Sequence, residues 1–190
     1  YFNATELNPK LKIVIPRNLK HVYAKSLVFI SDTLYFSNNK QLNKVIRFKE
    51  EAYPTSFAPS DQQRIFSIAL NGNQIYISTL KTVYKLEQDT LIPVESFVNT
   101  PFRKFQFFQG VLVGITHDYQ LIVGFPTSKE NQFRIQIILE DCSWMDMNYI
   151  FHSNVLMRSD KGYYILNISK KTATLTPSEN VLLPRIPQEI

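Results

Sequence analysis

The stretch GVLVGITHDYQLIVGF, residues 110–125, consists of two apolar runs separated by a short polar segment. Residues 111–115 and 119–125 have the length and the composition typical of strands, and Thr116-His117-Asp118 between them is a turn signal. Asp suits such a turn because its side chain tolerates left-handed geometry or bonds to nearby backbone. The stretch therefore predicts a β-hairpin, and it raises the question of whether His117-Asp118 is instead a catalytic pair.

Two more strand-like runs flank this hairpin. Residues 104–108 precede it and end at the turn signal Gln109-Gly110, and residues 133–139 follow it after a loop. Four short strands joined in this order predict an antiparallel meander.

The same pattern of four short runs occurs four times along the chain. Taking the second run of each copy, the starts lie near Leu27, Ile75, Val111 and Val155, which are 48, 36 and 44 residues apart. An irregular repeat of four-stranded antiparallel units is typical of β-propeller blades. The remaining copies are predicted as runs 19–23, 27–30, 34–37 and 45–48, then 64–70, 74–78, 82–86 and 91–94, and finally 145–151, 155–158, 163–168 and 172–176.

These repeats predict an all-β chain of about four blades at residues 19–62, 63–101, 102–141 and 142–178, followed by an irregular tail. Residues 1–18 are predicted to be an extension whose LKIVI segment, residues 11–15, could form a clasp strand. The ring is expected either to close with four blades or to form part of a larger propeller completed outside this chain. A β-sandwich or a barrel with a similar number of strands is the alternative fold.

Two segments resemble known propeller families. The phrase FAPSDQQRIFSIALNGNQIYIST, residues 57–79, is similar to the connection between the first and second strands of WD40-type blades, and this register would make residues 64–70 a second strand. Gly124 and residues 128–133 resemble part of the RCC1-type repeat. Neither segment carries the full motif of its family, so the resemblance implies a divergent propeller of unassigned subfamily and transfers no functional residues.

Composition limits the class of protein. Fourteen Phe and ten Tyr among 190 residues favour strands, and no long stretch has helical apolar periodicity. The single cysteine, Cys142, excludes an internal disulfide framework and favours a reducing compartment. No run reaches the roughly eighteen apolar residues of a membrane span, and no signal peptide is visible. We therefore expect an intracellular globular protein.

The candidate catalytic and metal-binding residues do not form a recognisable set. His117 and Asp118 are neighbours that a strand would point to opposite faces, and no nucleophile accompanies them, so the turn interpretation is preferred. His21, His117 and His152 have no metal-ligand spacing. Cys142 is expected to be a small buried side chain. The sequence thus predicts no enzyme, no metal and no cofactor.

Two segments are candidates for binding. The run FRKFQFF, residues 102–108, interleaves aromatic and cationic side chains, and Phe102, Arg103, Lys104 and Phe107 are predicted to contact a partner. Residues 1–49 carry nine Lys and Arg against two acids, while residues 50–190 carry twelve against fourteen. This basic quarter could attract a polyanion. Its candidate residues are Lys10, Lys12, Arg17, Lys20 and Lys25.

The predicted function is a non-catalytic interaction scaffold, a propeller-type subunit or domain that binds protein partners in a larger complex. A nucleic-acid-contacting subunit that uses the basic quarter is the first alternative, and a propeller enzyme is the second.

Overall fold

The computed structural model describes residues 26–31, 33–38, 40–46, 55–142, 146–151, 154–159, 162–169 and 171–178. Within these ranges the chain is all-β, with four antiparallel sheets of four strands each and one short 3-10 turn, Glu95–Phe97. Consecutive strands are hydrogen-bonded neighbours in every sheet, so each sheet is a meander. The predicted all-β class and the repeated four-stranded unit are confirmed.

The sheets follow one another along the chain and are numbered I to IV. Sheet I comprises β1 (Leu27–Ile30), β2 (Thr33–Asn38), β3 (Gln41–Ile46) and β4 (Thr55–Phe57). Sheet II comprises β5 (Ser67–Asn71), β6 (Gln74–Ser78), β7 (Val83–Glu87) and β8 (Thr90–Pro93). Sheet III comprises β9 (Phe102–Phe108), β10 (Val111–Thr116), β11 (Leu121–Pro126) and β12 (Phe133–Leu139). Sheet IV comprises β13 (Asp146–Phe151), β14 (Asn154–Ser159), β15 (Gly162–Ile168) and β16 (Ala173–Pro177).

The predicted strands of sheets II, III and IV agree with the observed ones to within a few residues. The register of sheet II also decides between the two readings of residues 57–79. Because β5 is the first strand of its sheet, the WD40-type register, in which this segment is a second strand, does not apply.

The prediction for the first copy was wrong in register. Residues 27–30 form β1, the first strand of sheet I, although they were predicted to be a second strand, and β4 was not predicted at all. The predicted run 19–23 lies outside the described residues. Counted from the observed second strands, which begin at Thr33, Gln74, Val111 and Asn154, the repeat is 41, 37 and 43 residues. The observed repeat is therefore more regular than the predicted one.

The hairpin of residues 110–125 is present, but its turn is longer than predicted. Strand β10 runs to Thr116, and β11 begins only at Leu121. Tyr119, rather than Asp118, adopts the left-handed conformation, with a φ of 61°. The turn is closed by the Tyr119 N–H, which donates to the Thr116 carbonyl at 3.2 Å. Asp118 is thus a turn residue without the special backbone geometry that Asp was expected to supply.

Three apolar cores lie between successive sheets. The core between sheets I and II contains Leu42 and Ile77, that between sheets II and III contains Phe97 and Phe105, and that between sheets III and IV contains Val123 and Leu166. The strand faces that meet neighbouring sheets are mainly apolar, so each sheet buries its surface against the sheets next to it in the chain. Within the described ranges, no sheet closes into a ring and no core joins sheet IV to sheet I.

Two glycines of residues 110–125 allow this close packing. A Cβ on Gly114 would lie 2.3 Å from a ring carbon of Phe102, and one on Gly124 would lie 2.9 Å from the ring of Phe97. Both rings are fully buried in the core between sheets II and III. Glycine therefore occupies these two strand positions because phenylalanine rings fill the space of a side chain.

Candidate interaction site

Five loops gather at one end of sheets II and III, here called the loop end. In an antiparallel meander, the segment before the first strand and the hairpin between the second and third strands lie at the same end. Backbone hydrogen bonds join neighbouring loops there, with Asn99 N donating to the Lys81 carbonyl at 2.7 Å and His117 N to the Pro101 carbonyl at 2.9 Å. The loop end comprises residues 58–66, 79–82, 94–101, 117–120 and 140–142.

Arginine side chains lie over aromatic rings at the loop end. The guanidinium carbon of Arg64 is 5.5 Å from the centre of the Phe66 ring, and that of Arg103 is 5.2 Å from the centre of the Tyr119 ring. Phe66 in turn meets the His117 ring edge-on, with ring centres 4.4 Å apart. These five residues from three segments of the chain form one continuous group, which we call the cation–aromatic cluster.

A β-bulge directs Arg103 into this cluster. In the ladder between β9 and β10, Lys104 pairs with Ile115 and Phe102 pairs with Thr116, so Arg103 is the extra residue. The bulge breaks the two-residue alternation, so that Phe102 and Phe105, three residues apart, both face the core between sheets II and III, and Arg103 between them is exposed. The bulge lies beside the turn that carries His117, which explains how residues distant in sequence meet.

The cluster contains two buried polar atoms without a hydrogen-bond partner, Arg64 Nε and His117 Nε2. Burial lowers the pKa of His117, the positive charge of Arg103 lowers it further, and Asp118 opposes both effects. The imidazole is therefore mainly neutral at pH 7, and its Nε2 is buried without a hydrogen-bond partner among the described residues. The exposed guanidinium of Arg103 is the group of the cluster that can pair with a carboxylate or another hydrogen-bonding group of a partner.

Cys142 anchors the turn from the other side. Its backbone N–H and its thiol both donate to the Tyr119 carbonyl, at 2.7 Å and 2.6 Å. The side chain is buried, as predicted, and burial together with the charge of Asp141 raises the pKa of the thiol to about 11. The thiol is therefore protonated at neutral pH, and its contact stabilises the position of the Tyr119 ring beside Arg103.

Ser78 holds together the two chain segments that carry the arginines. Its carbonyl accepts from Phe66 N at 2.8 Å, and its hydroxyl donates to the Phe102 carbonyl at 2.9 Å and accepts from Phe102 N at 3.1 Å. The residue is fully buried. Through these bonds Ser78 sets the spacing between the strands that begin sheets II and III.

Replacing Ser78 with alanine should lower the free energy of unfolding by about 1–3 kcal/mol, because two buried polar groups of Phe102 lose their hydroxyl partner. Urea unfolding followed by circular dichroism measures this loss. Ser169→Ala is the matched control, since its hydroxyl donates to the Thr172 carbonyl in an exposed loop and should cost less than about 1 kcal/mol. Equal losses in the two variants would contradict the role of Ser78.

The structure separates the four residues predicted in FRKFQFF. Phe102 is fully buried in the core between sheets II and III, and Phe107 is half-buried, with its ring centre 4.6 Å from that of Tyr76. Arg103 is exposed in the cation–aromatic cluster, and Lys104 is partly buried on β9. Of the predicted partner-binding set, only Arg103 and Lys104 therefore carry charge toward solvent, and only Arg103 belongs to the cluster.

Several candidate residues from the sequence lie outside the described ranges, namely Lys10, Lys12, Arg17, Lys20, Lys25, His21 and His152. The structure brings Arg64, Phe66 and Tyr119 into the site, and sequence reasoning did not identify them. The spacing of Arg64 and Phe66 could have indicated their contact, because residues two apart in an extended segment lie on the same side.

Among the residues that the structure describes, no group of three or more His, Cys, Asp or Glu side chains is arranged to hold a metal ion. The same residues contain no helix long and apolar enough to cross a membrane.

Solved structures with similar folds have low sequence identity to this chain. The computationally designed Ika4 protein has a TM-score of 0.62 at 10% identity, covering 83% of this chain and 98% of its own. Kluyveromyces lactis Hsv2 has a TM-score of 0.53 at 11% identity, covering 81% of this chain. A chain of the S. cerevisiae complex of Dbp5 with Nup159, Gle1, IP6 and ADP has a TM-score of 0.56 at 14% identity, covering 91%.

This chain spans only 60% and 50% of the lengths of the latter two proteins. No family model matches the sequence, and no curated protein matches it either. The fold and the neighbours together define the class as a repeat-like all-β protein built from consecutive four-stranded antiparallel sheets.

Proposed function

We propose that this chain is a propeller-type interaction module whose loop end binds a protein partner through the cation–aromatic cluster. The four sheets are its blades, packed face to face through the three apolar cores. Rigid blades of this kind present loops at fixed positions, and such loops are where binding residues concentrate in many folds. The finer propeller assignment is supported by the order of the sheets and by the meander within each.

The observation that carries the proposal is the cation–aromatic cluster. Arg103 and Tyr119 are exposed, and Arg and Tyr are among the residues that dominate binding energy in protein interfaces. A guanidinium lying on a ring is restricted in its motion, so less entropy is lost when it pairs with a carboxylate.

Exposed apolar side chains extend the site along the same end. Leu80 is 45% exposed and Val98 is 53% exposed, and they lie in the two loops that the Asn99–Lys81 hydrogen bond joins. Protein interfaces combine apolar surface with a few polar or charged side chains. The arginines of the cluster beside Leu80 and Val98 have this composition. The cluster is thus better suited to a protein than to a small molecule.

Quantitative affinity capture from the native source, with the double variant Arg64→Ala and Arg103→Ala compared against wild type, tests the proposal. Each arginine is expected to contribute about 1–2 kcal/mol or more, so recovery of the specific partner should fall at least about tenfold. Lys129→Ala with Lys171→Ala is the control, because it removes the same charge from exposed positions away from the loop end. Equal recovery by wild type and the Arg64 and Arg103 variant would overturn the proposal.

The charge of residues 1–49 supports a second candidate function, nucleic-acid contact. A mixed-sequence oligonucleotide should then bind at low salt and dissociate at moderate salt, because neutralised phosphates release counterions. Substituting Lys10, Lys12, Arg17 and Lys20 by Gln should abolish this binding. Indifference to polyanions at low salt would reject this candidate.

A further inference from the structure

His117 is the only histidine within the described ranges, and its ring is packed into the cation–aromatic cluster. The ring meets that of Phe66 edge-on, with ring centres 4.4 Å apart. Its Nε2 atom is buried and has no hydrogen-bond partner among the described residues. A protonated imidazole carries N–H groups on both nitrogens, and a buried charged N–H without an acceptor is costly. The packing therefore suits the neutral ring and not the protonated one.

Two arginines and two acids surround the imidazole. Arg64 lies over the same phenylalanine ring, and Arg103 lies over a tyrosine ring of the same turn. Asp118 in the turn and Asp141 in the segment after β12 are both exposed, so water screens their negative charges. The Cys142 thiol, which also touches this turn, is protonated and uncharged at neutral pH. A proton on the imidazole would therefore add a third positive charge to the cluster, and the acids beside it are exposed rather than buried.

The proton affinity of His117 follows from this position. Burial lowers its pKa, the positive charge of Arg103 lowers it further, and the charge of Asp118 raises it. The folded chain therefore binds this proton less readily than the unfolded chain, in which histidine has a pKa of about 6.5. The contribution of His117 to the free energy of unfolding is thus fully present above about pH 6.5 and is lost as the pH falls through the lower pKa of the folded chain.

The backbone of the turn is fixed by hydrogen bonds, so the side chain is the part that can respond to a proton. The His117 N–H donates to the Pro101 carbonyl at 2.9 Å, and the Tyr119 carbonyl accepts from the Cys142 N–H at 2.7 Å. These bonds do not involve the imidazole. Rotation of the half-buried side chain about its own bonds places a charged ring in water while the turn keeps its conformation.

We propose that the contact between His117 and Phe66 is a pH-sensitive switch at the loop end. At neutral pH the uncharged ring packs on Phe66 and joins the two arginine–aromatic pairs into one cluster. At acidic pH the protonated ring turns out into water, and the cluster divides into Arg64 with Phe66 and Arg103 with Tyr119. The switch is a property of this chain alone. Its effect on partner binding rests on the proposed function, because a partner would meet a continuous cluster only above the transition.

Proton NMR of the full chain from about pH 8 to about pH 5, the range in which histidine titrates, tests the switch directly. The chain has three histidines, and His117→Gln identifies the His117 signal by its loss. That signal should titrate with a midpoint below the ordinary histidine value of about 6.5. The nuclear Overhauser contact between the His117 and Phe66 rings should be present above the midpoint and lost below it. A midpoint at or above the ordinary value, or a contact that persists once the ring is protonated, overturns the proposal.

Two charge variants should move the His117 midpoint in opposite directions. Arg103→Gln should raise it, because a nearby positive charge is removed, and Asp118→Asn should lower it, because the opposing negative charge is removed. Lys129→Gln is the matched control, since it removes a charge from an exposed position away from the loop end and should leave the midpoint unchanged. A midpoint that responds to neither of the first two variants contradicts the charge environment on which the switch depends.

Urea unfolding at about pH 7.5 and about pH 5.5 measures the effect on stability. The wild-type midpoint should fall more over this interval than that of His117→Gln, because other titrating groups affect both proteins alike. Equal changes in the two proteins would overturn the switch. Affinity capture at the same two pH values separates this result from the proposed function. If no specific partner is recovered at either pH, the proposed function fails, and the NMR titration still decides the switch.

Discussion

Replacing Gly114 with alanine is expected to destabilise the protein by about 3 kcal/mol, near the upper end for overpacked cores. The added Cβ would lie 2.3 Å and 2.5 Å from two ring carbons of Phe102 and 3.0 Å from the Cβ of Phe105. Both rings are fully buried, so neither can move aside without displacing the core between sheets II and III. Urea unfolding measures the loss as a lower midpoint.

Two further variants show whether the ring of Phe102 is the cause. Gly124→Ala should cost less, because its nearest contact would be the ring tip of Phe97 at 2.9 Å. Adding Phe102→Leu to Gly114→Ala should recover part of the lost stability, since the smaller side chain vacates the space that the new methyl group needs. If Gly114→Ala unfolds at the wild-type midpoint, the position of the Phe102 ring against Gly114 is wrong.

Truncating Phe97 to alanine is expected to lower the free energy of unfolding by about 3–5 kcal/mol, the range for large buried aromatic side chains. Phe97 lies in the connection between sheets II and III, and it is fully buried. Its ring centre is 5.6 Å from that of Phe102 and 5.1 Å from that of Phe133. The truncation therefore removes apolar area, leaves a cavity and breaks two aromatic contacts.

Val98 supplies the control for this prediction because it is the next residue and is 53% exposed. Val98→Ala should change the free energy of unfolding by less than about 0.5 kcal/mol, as expected for surface positions. A comparable loss in the two variants would mean that the connection between the sheets, rather than the packing of the Phe97 ring, limits stability.

Sheets II, III and IV were predictable because their strands are short apolar runs bounded by clear turn signals. The strands of sheet I were harder to predict, because β3 contains polar residues that are buried and hydrogen-bonded in the structure. Asn43 is 4% exposed, and its amide donates to the Phe36 carbonyl at 3.4 Å while its side-chain oxygen accepts from Ser56 at 2.8 Å. Asparagine is uncommon in strands, so the sequence favours a loop at this position. Asn43 lies in a strand because its buried amide finds hydrogen-bond partners there.

Arg103 is the one residue of the cation–aromatic cluster that the sequence predicted as a binding residue. Arg64, His117 and Tyr119 meet it through loops that follow different strands, and no local spacing connects them. The bulge at Arg103 puts Phe102 and Phe105, three residues apart, on the same face of β9. The interleaved aromatic and cationic side chains of FRKFQFF predicted Phe102 as a binding residue, and the structure buries it in the core between sheets II and III.

The hairpin of residues 110–125 follows from local features of the sequence. Strand-favouring runs, turn residues and their recurrence were sufficient for an all-β chain of consecutive four-stranded meanders, because these features depend on local propensity and on spacing. Only the tertiary structure decided which faces meet, why Gly114 and Gly124 must lack side chains, and how His117 comes to lie against Phe66. Those properties arise between sheets, where a contact depends on residues from separate segments and on a register that no single segment encodes.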